Sequence, residues 1–344
     1  MSLNNVLIPL HSIAEKTSDS WQYQLSHCIS NVHHLCELLE LDFQQLSFSE
    51  QASEQFSLKI PVAYAQRMRK GDYLDPLLLQ VLPDPRELEY VPGYTQDPLQ
   101  EAQSNQLTGV IHKYKNRVLL TLSGACAVNC RYCFRRHFPY TKNTIGTAQW
   151  QQILQYIAAD SSIEEVIFSG GDPLATSDKR LANLVADLAK IAHVERLRIH
   201  TRLPIVIPDR ITDTLCKTLR ESPLQCVVVV HANHANEFDS SVRSALEKLS
   251  RAQVTVFNQA VLLKNINDSV ALQKDLHLAS FKAGALPYYL FVLDPVQGAA
   301  HYDISDRQAQ QLIAELQAHL PGYLLPRLAR EIPGKPNKTL LSIL

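Results

Sequence analysis

The feature that most constrains this chain is the loop Gly124-Ala125-Cys126-Ala127-Val128-Asn129-Cys130-Arg131-Tyr132-Cys133-Phe134-Arg135-Arg136, which carries three thiols in the spacing Cys-x3-Cys-x2-Cys just after the apolar run 117–122. Three closely spaced thiolates can hold three corners of a [4Fe-4S] cube, whereas an ordinary cluster with four cysteine ligands leaves no iron open. An iron without a protein ligand can accept a small chelator, and the amino and carboxylate groups of S-adenosylmethionine (SAM) suit that role. The competing readings are a structural zinc site, which needs a fourth Cys or His, and three buried thiols packed as small hydrophobes.

Seven cysteines, an odd number with three in one tight group, do not form a disulfide framework, and a labile cluster fits a reducing compartment. Cys28, Cys36, Cys216 and Cys226 read as small apolar packing residues. The run 6–10 is short and lacks a basic flank, so it is not an export signal, and a cytoplasmic location is expected. With 46% hydrophobic and 19% charged residues, no stretch approaches the ~20 apolar residues of a membrane span. A net charge of −1 gives no footprint for nucleic acid, although Arg131, Arg135 and Arg136 form a local group able to bind a carboxylate or phosphate. Small substrates follow.

Helical spacing across 19–41, and across part of 54–79, points to an N-terminal helical domain, and the prolines of 83–98 read as a linker. From residue 117 short β-branched runs alternate with helical segments such as 150–159 and 180–192. Six strands are expected, at 117–122, 165–168, 196–200, 225–230, 254–257 and 288–292. The expected fold is α/β: an incomplete (βα)6 barrel of the triosephosphate-isomerase kind behind the helical domain. The division is 1–105 for the helical region and linker, 106–320 for the barrel and 321–344 for a C-terminal segment. In such barrels chemistry sits at the C-terminal ends of the strands. Those positions carry the three cysteines, Ser169-Gly170-Gly171-Asp172, Thr201-Arg202, His231, Asn258-Gln259 and Asp294. Gly170 and Gly171 let the backbone approach a ligand, with Asp172 as a free carboxylate beside it.

The cysteine spacing resembles that of radical SAM enzymes, and Ser169-Gly170-Gly171-Asp172 resembles the segment they use on the methionyl amine of SAM. A more specific resemblance, to the lysine 2,3-aminomutase family, covers about 112–339. It rests on the run from Arg117 to Leu120, on Cys126 to Arg136, on His231-Ala232-Asn233-His234-Ala235-Asn236-Glu237, on Asn258-Gln259-Ala260-Val261, on Pro287-Tyr288-Tyr289, on Asp294, and on Pro333-Gly334 leading to Lys338-Thr339. Within that family the chain is similar to the short form, whose relatives serve the β-lysylation of elongation factor P.

The resemblance implies pyridoxal 5′-phosphate (PLP) held on a lysine near the C-terminus. That lysine is Lys338 by position, with Lys335 the nearer competitor; the residues alone do not choose. It implies Lys113 and Arg117 on the PLP phosphate, Lys113 standing where the family has arginine and so losing the bidentate fork. His231 and Gln259 are further implied cofactor contacts. Arg135 is implied on the carboxylate of substrate lysine, and Asp294 and Glu331 on its far ammonium, Glu331 standing where longer relatives have Asp. An electron donor such as flavodoxin or ferredoxin is implied, as is a functional link to elongation factor P and its lysyl ligase. The chain ends at Leu344, without the Cys-bearing extension of longer members, and zinc is not expected. Rival readings are a 2,3-aminomutase for arginine or glutamate and a non-catalytic iron–sulfur redox sensor.

Overall fold

The computed structural model describes residues 20–143 and 145–342; the apolar run 6–10 lies outside them. Short helices α1 (Trp21–Ser26), α2 (Val32–Leu39), α3 (Glu50–Gln55) and α4 (Val62–Ala65) open the chain. The helical spacing across 19–41 is interrupted at 27–31. There Ile29 pairs with Ile60 as a β-bridge, and Asn31 starts a new helix by accepting the backbone N–H groups of His33 and His34 at 2.8 and 3.3 Å. Within 54–79 the helix is confined to the end of α3 and to α4, and turns fill most of 66–79, organised in part by Asp75, whose carboxylate accepts the N–H groups of Arg69, Leu77 and Leu78.

The sheet contains β1 (Asn105–Leu107), β2 (Val110–Tyr114), β3 (Arg117–Ser123), β4 (Glu165–Gly170), β5 (Arg196–Thr201), β6 (Gln225–Val230), β7 (Thr255–Val261), β8 (Leu286–Phe291), β9 (Arg327–Arg330) and β10 (Thr339–Leu340), side by side in chain order. β3 to β9 are parallel, and the ends of the sheet, β1 with β2 and β10, run antiparallel to their neighbours. The six expected strands are β3 to β8. β9 is an addition: Arg-Leu-Ala-Arg has no β-branched residue and takes its conformation from pairing with β8.

Between the parallel strands lie α5 (Thr147–Ala159), α6 (Asp178–Leu188), α7 (Leu203–Val206), α8 (Asp213–Glu221), α9 (Ser240–Arg251), α10 (Val270–Lys282) and α11 (Asp306–Gln317). Ser177, Thr212, Asp239, Ser269 and Ser305 cap five of them with side-chain oxygens on the first free N–H groups. The strands alternate with period two. Val118, Leu120, Val166, Phe168, Leu197 and Ile199 pack into one apolar core with Ile153, Ile157 and Leu184 of the helices. Arg117, Leu119, Glu165, Ile167, Ser169, Arg198 and His200 face a common cavity instead. The sheet thus wraps around that cavity and stays open between β1 and β10. Leu35, Leu39, Leu77 and Leu78 belong to the same apolar core as the strands.

The stretch 83–98 is not a free linker. Asp84 and Glu87 form a capping box around the turn Pro85–Leu88, Glu87 is buried, and Thr95 bridges to Val296 beyond β8.

Candidate active site

One cavity of about 970 Å³ runs through the sheet, lined by Cys126, Cys130, Cys133, Lys113, Arg117, Arg135, Ser169, Gly170, Gly171, Asp172, His231, Gln259, Asp294, Glu331 and Lys338. Residues expected at the site from distant parts of the sequence therefore share one space. Lys335 is exposed and does not line it.

The three thiols are free and half-buried. Burial and the neighbouring Cys130 push the Cys133 thiol up to about 11, and burial and Cys133 raise that of Cys126. Such a crowd of sulfurs ionises only when cations relieve it, which is the donor chemistry an iron–sulfur cluster fits. Among the described residues no three Cys, His, Asp or Glu side chains are placed to share a single ion. A cube takes its thiolates on separate irons and needs them farther apart. Arg202 donates Nη1 to Cys130 Sγ at 2.6 Å and Nη2 to the buried Glu237 at 3.0 Å, bringing a cation to the cluster loop.

The Gly-Gly-Asp turn differs from expectation in what it approaches. A Cβ on Gly171 would lie 2.7 Å from the Ala125 carbonyl oxygen, and one on Gly170, at φ +112°, would lie 2.8 Å from that of Ser123. The Gly171 and Asp172 N–H groups donate to those carbonyls of Ser123 and Ala125 at 2.7 and 2.8 Å. The glycines therefore admit the cysteine loop. Nor is Asp172 a free carboxylate: Oδ1 accepts from Thr201 Oγ1 and Leu174 N at 2.7 and 3.0 Å, and Oδ2 from Arg202 N and Leu203 N at 2.8 and 3.0 Å.

The arginines of the loop are also engaged. Arg131 is fully buried and gives Nε and Nη2 to Glu87 at 2.8 and 2.7 Å, and Arg136 gives Nη2 to the same carboxylate at 2.7 Å. Arg135 gives Nε and Nη2 to Glu101 at 2.7 and 2.8 Å. From Glu101 a file of alternating charges crosses the cavity: Lys113 lies 3.5 Å from Glu101 and 2.9 Å from Glu331, and Lys338 Nζ lies 3.0 Å from the other Glu331 oxygen. Burial and the Glu331 charge push the Asp294 carboxyl up to about 7.

His231 Nδ1 faces the Gln259 carbonyl at 2.9 Å, which can only accept, so Nδ1 carries the proton and Nε2 accepts from Tyr132 Oη at 2.8 Å. Burial and Arg202 lower its pKa to about 4, keeping it neutral. Lys338 Nζ sits 5.2 Å from the Phe291 ring centroid and 5.9 Å from that of Tyr114. Around the same cavity Gln259 Oε1, His200 Nε2 and Arg198 Nε are buried without a hydrogen-bond partner. An amine beside unpaired polar atoms and aromatic walls fits a polar, flat ligand such as PLP.

Glu87, Glu101, Arg198 and His200 are participants that sequence reading left without a role, while Arg202, expected at the strand-end rim, is found beside Cys130. Glu87 and Glu101 fall in the stretch read as helical region and linker, where no local motif marks them. Arg198 and His200 were visible only as alternate positions of a strand.

Residues 120–272 match the radical SAM superfamily. The chain is 49% identical over 325 residues to the L-lysine 2,3-aminomutase of Haemophilus influenzae, covering 94% of this chain and 96% of the relative. It is 48% identical over 326 residues to that of Escherichia coli, covering 94% and 95%. A solved structure described as native anSMEcpe with bound AdoMet aligns over 58% of this chain and 58% of that one, with a TM-score of 0.45 and 16% identity. Near half-identity along almost the whole of both chains, joined to a thiol triad and a lysine on one cavity, establishes that this protein is an isomerase belonging to the lysine 2,3-aminomutase family of the radical SAM superfamily.

Proposed function

We propose that this lysine aminomutase moves the α-amino group of L-lysine to the β-carbon, using a [4Fe-4S] cluster, SAM and PLP, and that its β-lysine serves the modification of elongation factor P. The observation that carries the reading is the convergence of the three thiols, the Lys338 amine and the Asp294 and Glu331 carboxyl groups on a single cavity. When bound, the cluster and SAM supply a carbon radical that removes a hydrogen atom from Cβ, and PLP supplies the C=N bond through which nitrogen crosses.

In this reading Cys126, Cys130 and Cys133 hold three irons and leave the fourth for SAM. Ser169, Gly170, Gly171 and Asp172 support the methionyl end, Asp172 through the loops it braces. Lys338 carries PLP; its amine is already drawn toward the cavity by Glu331. The phosphate falls to Arg117 more than to Lys113, because the Lys113 ammonium is shared between Glu331 and Glu101. His231 and Gln259 complete the cofactor wall. Arg135 anchors the substrate carboxylate, and Asp294 with Glu331 takes the far ammonium as charge-assisted acceptors. A pair of acids at the tail favours a cationic side chain over glutamate. A flavodoxin- or ferredoxin-type donor supplies the electron in the cytoplasm.

The test is β-lysine formation by the anaerobically reconstituted enzyme, with lysine, arginine and glutamate at equal concentration. Lysine is expected to turn over fastest. Equal or faster turnover of glutamate would show that the acids do not read the tail.

A further inference from the structure

Arg135 does not meet the cavity as a free cation. Its Nε and Nη2 donate side by side to the two oxygens of Glu101 at 2.7 and 2.8 Å, and its Nη1 donates to Ser169 Oγ at 3.2 Å. Arg135 and Glu101 are 7% and 4% exposed, so neither exchanges partners with bulk water. A guanidinium offers a carboxylate two parallel seats, the Nε/Nη2 edge and the Nη1/Nη2 edge. Glu101 fills the first. The second carries the Nη1 contact to Ser169, and both residues line the cavity.

We infer that Glu101 is a positioning residue: by filling one edge of Arg135 it leaves only the Nη1/Nη2 edge for the substrate's α-carboxylate, and so fixes where the substrate sits along the cavity. This rests on the reading of Arg135 as the carboxylate anchor. Glu101 is also the carboxylate that joins that anchor to the far side of the site, since it lies 3.5 Å from Lys113, which holds Glu331, which holds Lys338. The distance between the substrate's carboxylate seat and the lysine amine is thereby set by one continuous file of ion pairs. Without the Glu101 charge, the Nε/Nη2 edge becomes a second seat. A substrate in that seat keeps its ion pair with Arg135 but carries its β-carbon away from the radical. A substrate whose carboxyl is blocked as an amide has no seat in either case, so the site takes free lysine.

The test uses the reconstituted holoenzyme. Glu101→Gln keeps shape and loses charge; kcat should fall at least about tenfold, since a displacement of about 1 Å costs up to about a hundredfold, while KM for lysine stays level or drops. 5′-Deoxyadenosine released per β-lysine formed should rise, with kcat taken per loaded cluster because the buried Arg135 loses its counter-charge and the melting temperature should fall. Glu101→Asp, which keeps the charge, should recover part of kcat. By calorimetry lysine should bind both the parent and Glu101→Gln, and lysinamide neither. Parent-like kcat per loaded cluster in Glu101→Gln overturns the inference, as does a kcat loss with unchanged 5′-deoxyadenosine per β-lysine and no recovery in Glu101→Asp, which would make Glu101 a structural brace. Arg135→Lys separates the two claims. If it raises KM for lysine at least about tenfold, the anchor stands whatever Glu101 does; if KM is unchanged, the anchor reading itself falls.

Discussion

Burial and the Glu331 charge push the Asp294 carboxyl up to about 7, whereas Lys338 and Lys113 outweigh burial at Glu331 and hold it at about 2. Two acids side by side are thus set to different charge states near neutrality. Unfolded, Asp294 titrates near 3.8, so between about pH 4 and 7 the folded protein keeps a proton that the unfolded chain has released. Its contribution to stability therefore falls as pH rises through that window. Relative to Asp294→Asn, the parent should lose stability from about pH 4 to 7 and then level off, as read by urea unfolding across pH. The same carboxyl, once ionised, attracts an ammonium, so lysine affinity should tighten as pH rises through 7 in the parent and stay flat in the Asn variant. A parent enzyme with flat affinity over that range would remove Asp294 from the tail pocket. Lys338 carries a second expectation at this scale. Its amine opens onto the cavity while Lys335 is exposed outside it, so borohydride reduction of the PLP-loaded enzyme should label Lys338, and Lys335→Ala should keep the label. Label on Lys335 would overturn the assignment.

The end of β4 and the cysteine loop behave as one element, because Gly170 and Gly171 leave room for it and Asp172 ties both to the start of the segment after β5. Gly171→Ala sets a methyl against backbone at 2.7 Å, and backbone cannot swing aside as a side-chain tip can. The variant should retain the fold but bind less iron per chain, with a lowered melting temperature; full iron loading would show that the loop has slack. This element also shows what local sequence can and cannot display. Cysteine spacing and the Gly-Gly-Asp turn are covalent patterns, visible without a fold, and β3 to β8 announce themselves by apolar runs. The break at 27–31 was hidden because the apolar residues of two helices happened to keep one period. β9 was hidden because its four residues are strand only by pairing. The engaged state of Arg131, Arg135 and Arg136, read from sequence as open anion binders, depends on Glu87 and Glu101, which lie 44 and 34 residues before the arginines they meet at Arg131 and Arg135. Contacts of that separation leave no local trace.

At the scale of the whole molecule, the N-terminal region and the barrel meet through charge as well as apolar packing. Glu87 is shared by Arg131 and Arg136, with side-chain exposures of 1%, 0% and 2%. Arg131 N also donates to the Gln80 carbonyl at 2.9 Å, and Asn129 N to that of Lys59 at 3.1 Å, so the cysteine loop is held from the N-terminal side along its length. Removing one partner of a buried pair leaves the other charge without compensation, at a cost of about 3–5 kcal/mol. Here a single substitution, Glu87→Gln, leaves two guanidinium groups short of a counter-charge. It should destabilise the protein by at least that amount, as measured by urea unfolding, and the cluster should be lost before the rest of the fold because both arginines belong to the loop that carries the thiols. The same logic applies to the chain as divided by sequence. A fragment of 106–344 would expose the apolar surface that packs against Leu35, Leu39, Leu77 and Leu78 and would bury Arg131 without Glu87, so it should not fold into a cluster-binding barrel. A soluble 106–344 fragment that unfolds cooperatively and takes up iron to the same level as the full chain would show that the barrel stands alone and that Glu87 is a local brace.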